Sequence, residues 1–260
     1  MKNTLFAIFF LLTAQLSGVI IETKNIFDIE THKDEDTLII YDIDNTLIEP
    51  QQTLGSDQWF SHHFFELKKH LKNEEAALEK ALSHWLAIQT LSTMKEVQEG
   101  TAQLIKKQQN ENSLVMGLTT RNYAFSNCTF DQLRSLGIDL SKTAPNKKDH
   151  YFKKERMVAA LKGILFTSGT HKGDALFAYL DKIKYYPKKI VFINDKKSHL
   201  IPVEESCNER NIPFVGLRYG YVDEKVENYN KHVAAIQIQH FGNLLSDDEA
   251  LALLETSILK

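Results

Sequence analysis

The chain has 260 residues, with 31 Lys and Arg against 34 Asp and Glu for a formal charge of −3, and 43% of its residues are hydrophobic. Such a balance describes a globular protein and excludes disorder, collagen-like repeats and a multipass membrane protein; with no long basic block to gather a polyanion, nucleic acid is not an expected partner. Two cysteines, Cys128 and Cys207, make neither a disulfide framework nor a zinc module.

In chain order, Lys2 precedes an apolar run from Leu5 to Leu12 and then Thr13, Ala14, Gln15, Ser17 and Gly18. This pattern predicts a signal peptide over 1–18, a mature chain starting near Val19, and a periplasmic or secreted location; the alternative is a buried N-terminal element, because the A-x-A cleavage pattern is missing. The run is shorter than the ~20 residues needed to span a bilayer, so no stable membrane anchor is expected. Thr37 to Tyr41 reads as a buried strand that stops at Asp42, Asp44, Asn45 and Thr46. Leu114 to Leu118, Ile164 to Thr167, Ile190 to Ile193 and Pro213 to Leu217 read the same way, and most are followed by helical spacing, such as Phe130, Leu133 and Leu136 before Gly137. Alternating strands and helices predict an α/β fold with a parallel sheet, whose ligands bind beyond the carboxyl ends of the strands.

Between Glu49 and Ser113 no strand is expected, while Phe60, Phe64, Leu67 and Leu71, then Leu78, Leu82, Trp85, Ile88 and Leu91, recur at helical intervals. The expected organisation is therefore a core of 19–48 and 113–260 with a helical insertion at 49–112, placed over the sheet end where it could act as a lid. From Asp223 onward the pattern is helical, with Ser246, Asp247 and Asp248 opening a last helix. No pattern assigns an oligomeric state.

The segment Asp42-Ile43-Asp44-Asn45-Thr46 puts two carboxylates at a strand end, one suited to nucleophilic attack or metal binding and the other to acid–base work. An Asx-rich turn is the structural alternative, and an EF-hand loop is excluded because Leu47 stands where that loop requires glycine. Thr119-Thr120-Arg121-Asn122 offers a hydroxyl and backbone amides to a phosphate oxygen, and His171-Lys172-Gly173-Asp174 offers a cation at a helix start. Asn194-Asp195 suits a hard cation such as magnesium. His62 and His63, adjacent on one helix, point about 100° apart and are not expected to share a metal; Trp59, Phe60 and Phe64 read as core of the insertion. Cys128 and Cys207 fall on helices after different strands and are not expected to pair.

In this order the four motifs resemble the haloacid dehalogenase (HAD) superfamily, from about Thr37 to about Leu217. The stretches DIDNTLIEP, LGSDQWF, LTTRN and HKGDAL look more narrowly like an exported bacterial family of unknown function associated with intracellular bacteria. The resemblance implies a Rossmann-like parallel sheet with a helical cap of the C1 type, and a magnesium-dependent phosphomonoesterase acting on a small phosphorylated substrate. It makes Asp42 the nucleophile that carries the phosphoryl group and Asp44 the acid and base. It assigns Thr119, Thr120 and Lys172 to substrate, and Mg2+ to Asp42, the backbone carbonyl of Asp44, and Asp195. Asn194 departs from the usual acidic pair and implies a weaker metal site. Two rival functions are a non-catalytic secreted effector or binding module that keeps the scaffold, and a receiver domain, whose strand order differs and which lacks a helical insertion.

Overall fold

The computed structural model describes residues 18–258, so the expected signal peptide lies, Gly18 apart, outside the described residues. Val19–Thr23 forms β1, a short 3-10 segment covers Ile26–Thr31, and β2 follows over Thr37–Tyr41. Next come β3 (Ile48–Pro50), α1 (Asp57–Leu71), α2 (Glu74–Gln89), β4 (Met94–Glu96), α3 (Thr101–Asn110) and β5 (Leu114–Thr119). The second half contains α4 (Ser126–Ser135), β6 (His150–Lys153), β7 (Met157–Leu161), β8 (Ile164–Phe166), α5 (Lys172–Ile183), β9 (Lys189–Asn194), α6 (Lys197–Glu209) and β10 (Phe214–Tyr219). Three helices end it, α7 (Asp223–Glu227), α8 (Lys231–Gln239) and α9 (Asp247–Ile258).

Eight strands form one sheet in the order β1-β10-β9-β2-β5-β8-β7-β6, parallel from β1 to β8. The fold is thus α/β and Rossmann-like, with β2 at its centre. All five β2 residues are buried, and their side chains alternate between two cores, Ile39 and Tyr41 on one face and Leu38 and Ile40 on the other. After β2 the chain builds β5 and β8 on one side and then crosses back to β9 on the other, which makes the end of β2 the switch point where such sheets bind ligands.

Two differences from the sequence reading concern strands. The sheet is not wholly parallel, because β7 runs antiparallel to both β8 and β6. Met157–Leu161 is a short apolar run that periodicity cannot separate from a helix; the hairpin to β8 is decided by Lys162 and Gly163, at φ 46° and 79°, the positive pair of a two-residue turn. A Cβ on Gly163 would lie 2.1 Å from the Leu140 carbonyl oxygen, so only glycine fits. In the segment expected to lack strands, β3 and β4 pair antiparallel at the base of the insertion; three-residue strands are too short to show a period. Helix α3, also within 49–112, packs Leu104 and Ile105 into the same core as Ile39 and Tyr41.

Helices α1 and α2 form an antiparallel pair whose inner face joins Leu54, Trp59, Trp85 and Ile88 to Phe125 of the core and Ala234 of α8. The C-terminal helices hold this pair in place. Gln237 accepts from the Leu54 amide at 2.8 Å, and the Asp247 carboxylate accepts from the Thr53 amide at 2.6 Å, the Thr53 hydroxyl at 2.9 Å and Gln237 Nε2 at 2.8 Å. Ser246 and Glu249 close a reciprocal cap at the start of α9. Loss of three hydrogen bonds to a partly buried carboxylate sets the expected cost of Asp247→Ala at about 2 kcal/mol. Urea unfolding checks it, and an unchanged midpoint would show that α9 does not secure the insertion.

Candidate active site

The turn after β2 is built by its own polar residues. The Asp42 amide continues the ladder to the Ile193 carbonyl at 3.1 Å, and then Asn45, at φ 56°, reverses the chain so that the amides of Thr46, Leu47 and Ile48 all point back to the Ile43 carbonyl. Asparagine tolerates that conformation better than most residues. Its amide nitrogen also donates to Asp195 Oδ2 at 3.3 Å, tying the β2 turn to the β9 end. Of the two acids, Asp42 is buried and Asp44 reaches the surface of a cavity.

Asp42 Oδ1 lies 2.8 Å from Lys172 Nζ, and both side chains are buried. Burial pushes the Asp42 carboxyl up and the Lys172 ammonium down, and their mutual attraction opposes both shifts. Lys172 is the first residue of α5, so the positive end of that helix adds to its field. Gly173 lets α5 approach this closely, since a Cβ there would sit 2.2 Å from the Pro202 carbonyl oxygen on α6. Burial and the neighbouring Asp42 charge push the Asp195 carboxyl up to about 7. On α6, burial and then Lys172 and Lys196 push the partly buried His199 imidazole down to about 3, leaving it neutral at pH 7.

Asp44 is engaged differently. Arg121, itself buried, donates from Nε to Asp44 Oδ2 at 2.9 Å and from Nη2 to Oδ1 at 2.7 Å. Its Nη1 donates to Thr129 and Gln132, both at 2.8 Å, and its Cζ lies over the Trp85 ring, 4.9 Å from the centre. Gln132 Nε2 continues to Gln89 Oε1 at 2.6 Å, and Gln89 and Trp85 both donate to the Gly55 carbonyl. A buried polar chain therefore runs from the first motif through α4 into the insertion. A second tie joins Asp57, at the start of α1, to Lys196 at 2.7 Å.

The structure brings Asp42, Lys172 and Asp195 into one cluster, and three carboxylates do not converge, because that of Asp44 lies with Arg121. Among the described residues no three His, Cys, Asp or Glu groups form a ready metal cage. Magnesium needs no such cage, being held by one or two carboxylates and water. Asp42 and Asp195 are two such carboxylates, both disfavoured by burial, Asp42 also by the Asp44 charge and Asp195 by that of Asp42, and a divalent cation would relieve that cost. The Asn194 side-chain oxygen accepts from the Lys196 amide at 2.8 Å, and its amide nitrogen is buried without a hydrogen-bond partner.

Thr119 is buried at the end of β5, where its hydroxyl accepts from the Arg121 amide at 3.1 Å, and Thr120 is exposed and lines the cavity. Two residues of the site go beyond what the sequence pattern signals. The pattern places Arg121 in a phosphate-gripping stretch with no task for its guanidinium. Ser168 follows β8 at φ 53°, with its amide bonded to the Arg121 carbonyl and its hydroxyl buried without a partner. The hydroxyls of Thr46 and Thr167 are orphaned in the same way. A hydroxyl-rich strand end in Thr167-Ser168-Gly169-Thr170, like that of Thr119-Thr120, was the available signal.

Above Asp44 and Arg121 opens a cavity of about 210 Å³, to which the insertion contributes Phe60, Leu82 and Trp85 among other residues. Phe60 both packs against the core of the insertion and lines the cavity, and Trp59 lies in that core and stacks on His63. His63 Nε2 lies 2.8 Å from His84 Nδ1, and His62 faces Tyr229. Cys128 and Cys207 are free thiols.

Among solved structures the chain is similar to a haloacid dehalogenase-like hydrolase from Streptococcus pneumoniae, at 14% identity and a TM-score of 0.43 over 69% of this chain and 93% of that one. It is also similar to a hydrolase from Pseudomonas syringae, at 13% identity and a TM-score of 0.46 over 75% of this chain and 100% of that one. Closer in sequence are proteins named "Putative outer membrane protein". One from Chlamydia muridarum is 31% identical over 83% of this chain and 81% of its own length, and one from Chlamydia trachomatis is 29% identical over 96% of each. Residues 21–251 match the family described as "Protein of unknown function (DUF2608)", and with the turn after β2, Arg121, Lys172 and Asp195 all inside that span, the chain belongs to this family.

Proposed function

We propose that this chain is an exported phosphomonoesterase that passes the phosphoryl group of a small substrate first to Asp42 and then to water. The observation that carries the reading is the buried Asp42–Lys172 pair at the switch point of the sheet, with Asp195 beside it and orphaned hydroxyls around it. Asp42 attacks phosphorus, and Lys172 holds phosphoryl oxygens that Asp42 can no longer neutralise once it is esterified. The Thr119, Thr167 and Ser168 hydroxyls and the amides of their loops donate to the remaining oxygens. Thr120 borders the same space. Asp44 protonates the leaving oxygen and later takes a proton from the attacking water, after its pair with Arg121 opens. Asp42, Asp195 and the backbone carbonyl of Asp44 would hold Mg2+, which would supply positive charge against the phosphoryl oxygens. The insertion covers the site in the manner of a C1-type cap and excludes water.

Hydrolysis of p-nitrophenyl phosphate and of a panel of phosphorylated metabolites by residues 19–260, with and without magnesium, tests this. Absence of phosphate release on every substrate would favour the second reading, a non-catalytic secreted binding module, which is supported by the engagement of both Asp44 oxygens with Arg121. Export has its own test. Cleavage after Gly18 would leave β1 whole, with Val19 pairing Val215 at its start, so the periplasmic product of the full gene is expected to begin near Val19. N-terminal sequencing that finds Met1 contradicts it.

The amide at Asn194 sets a further expectation. Asn194→Asp restores a negative charge beside Asp195 and removes the orphaned nitrogen, so less magnesium should give half-maximal rate. Asp195→Asn removes a direct ligand and should raise that concentration at least about tenfold. A magnesium titration in which neither variant differs from wild type would take the metal away from this loop.

A further inference from the structure

The cavity over Asp44 and Arg121 combines a contiguous apolar group with polar side chains. Phe60, Leu78, Leu82, Trp85 and Phe125 supply the apolar part of its lining, and Asp57 and Arg156 join Asp44 and Arg121 in the polar part. The three rings already pack edge to face, Phe60 with Trp85 at 6.1 Å between centroids and Trp85 with Phe125 at 5.5 Å. A sugar or polyol set against these five side chains would bury hydroxyls against carbon and leave them without partners there. A flat ring gains burial and further edge-to-face contact. The size agrees, since a cavity of roughly 150 Å³ takes up benzene and this one holds about 210 Å³.

The state of Asp44 points the same way independently of the walls. Both of its oxygens are occupied by the buried Arg121 guanidinium, so protonating a leaving oxygen requires that pair to open first. An alkoxide cannot leave without that proton, whereas a phenol ionises near pH 10, as tyrosine does, and its oxide leaves with little help.

We infer that the substrate is a phosphate monoester of an aromatic alcohol, its ring held between α1, α2 and Phe125 and its phosphate toward Asp42. The inference rests on the phosphatase reading for turnover but not for binding. In the reaction an Asp42 oxygen bonds to phosphorus as the bond from phosphorus to the aryl oxygen breaks, and the aryl oxide departs with the bonding pair and takes up a proton. Water then adds its hydroxyl to phosphorus and gives up a proton, restoring the Asp42 carboxylate and releasing inorganic phosphate.

Two measurements test it. In turnover with magnesium, kcat/KM for phenyl phosphate should exceed that for glycerol 3-phosphate by about 30-fold or more, and the double substitution Leu78→Asn, Leu82→Asn should shrink that ratio about tenfold. Both leucines are only partly buried. In binding, phenylphosphonate should quench tryptophan fluorescence with at least about tenfold higher affinity than methylphosphonate; the only tryptophans, Trp59 and Trp85, are both in the insertion. Preferential binding of phenylphosphonate without turnover of any phosphate ester would support the ring site and overturn the phosphatase reading. Turnover with equal or greater preference for glycerol 3-phosphate, a ratio that ignores the leucine substitutions, or equal affinity for the two phosphonates would overturn the ring site.

Discussion

Replacement of Asp42 by asparagine is expected to lower phosphate release by about 10³-fold or more, because an amide oxygen does not displace a leaving group from phosphorus. The substitution keeps the shape of a side chain packed into the end of β2, and its amide continues to bond the Ile193 carbonyl through the backbone. What it removes is the partner charge of Lys172, at 2.8 Å. Asp195, whose charge also acts on Lys172, remains to balance the ammonium, so the variant should fold. Near-ultraviolet circular dichroism, dominated by Trp59 and Trp85, measures whether the insertion is still docked. A variant that keeps its spectrum and more than a few per cent of the wild-type rate would remove Asp42 from the nucleophilic role.

The second large effect is on stability. Arg121→Met is nearly isosteric in its stem, yet it strips a buried network of its only cation. Asp44 loses two hydrogen bonds, Thr129 and Gln132 lose one each, and Trp85 loses the guanidinium packed on its face. Breaking one side of a buried pair costs about 3–5 kcal/mol, and the partial exposure of Asp44 puts the expected loss at the lower end. Because Gln132 passes the network to Gln89 and so to Gly55, the loss should appear first as loosening of the insertion. Hydrogen exchange should therefore speed up in α1 and α2 while the β2 and β9 amides stay protected. A loss below about 1 kcal/mol with unchanged exchange would show that apolar packing alone holds the insertion. The double variant Arg121→Met, Asp44→Asn separates the terms, since removing both charges should recover part of the stability.

The difference between the Asp42 and Asp44 environments gives the first motif two separate attachments. Asp42 belongs to the core, through Lys172 on α5 and the ladder to β9. Asp44 belongs to the insertion, through Arg121, Trp85 and Gln89. Movement of α1 and α2 would therefore act on Asp44 before it reached Asp42, and the ties from Asp57 to Lys196 and from Thr53 to Asp247 oppose such movement from two sides.

The α/β class and the strand ends that meet at the site are legible in the residue pattern alone. Buried parallel strands must be apolar along their whole length, so TLIIY, LVMGL, IVFI and their kin stand out, and the polar residues that stop them at Asp42, Thr119 and Asn194 are placed beyond the sheet by the strand direction alone. The helical spacing of the insertion was equally plain in Leu78, Leu82 and Trp85. The rest is set by packing, because each remaining feature depends on contacts distant in the chain. The antiparallel edge needed the Lys162–Gly163 turn pressed against Leu140. The placement of α3 in the core needed β2 and β5 beside it, and the engagement of Asp44 by Arg121 joined residues 77 positions apart. Periodicity records which face of an element is apolar. It does not record which partner that face meets, and at this site the partners decide which carboxylate is paired with a lysine and which is held by an arginine beneath an aromatic wall.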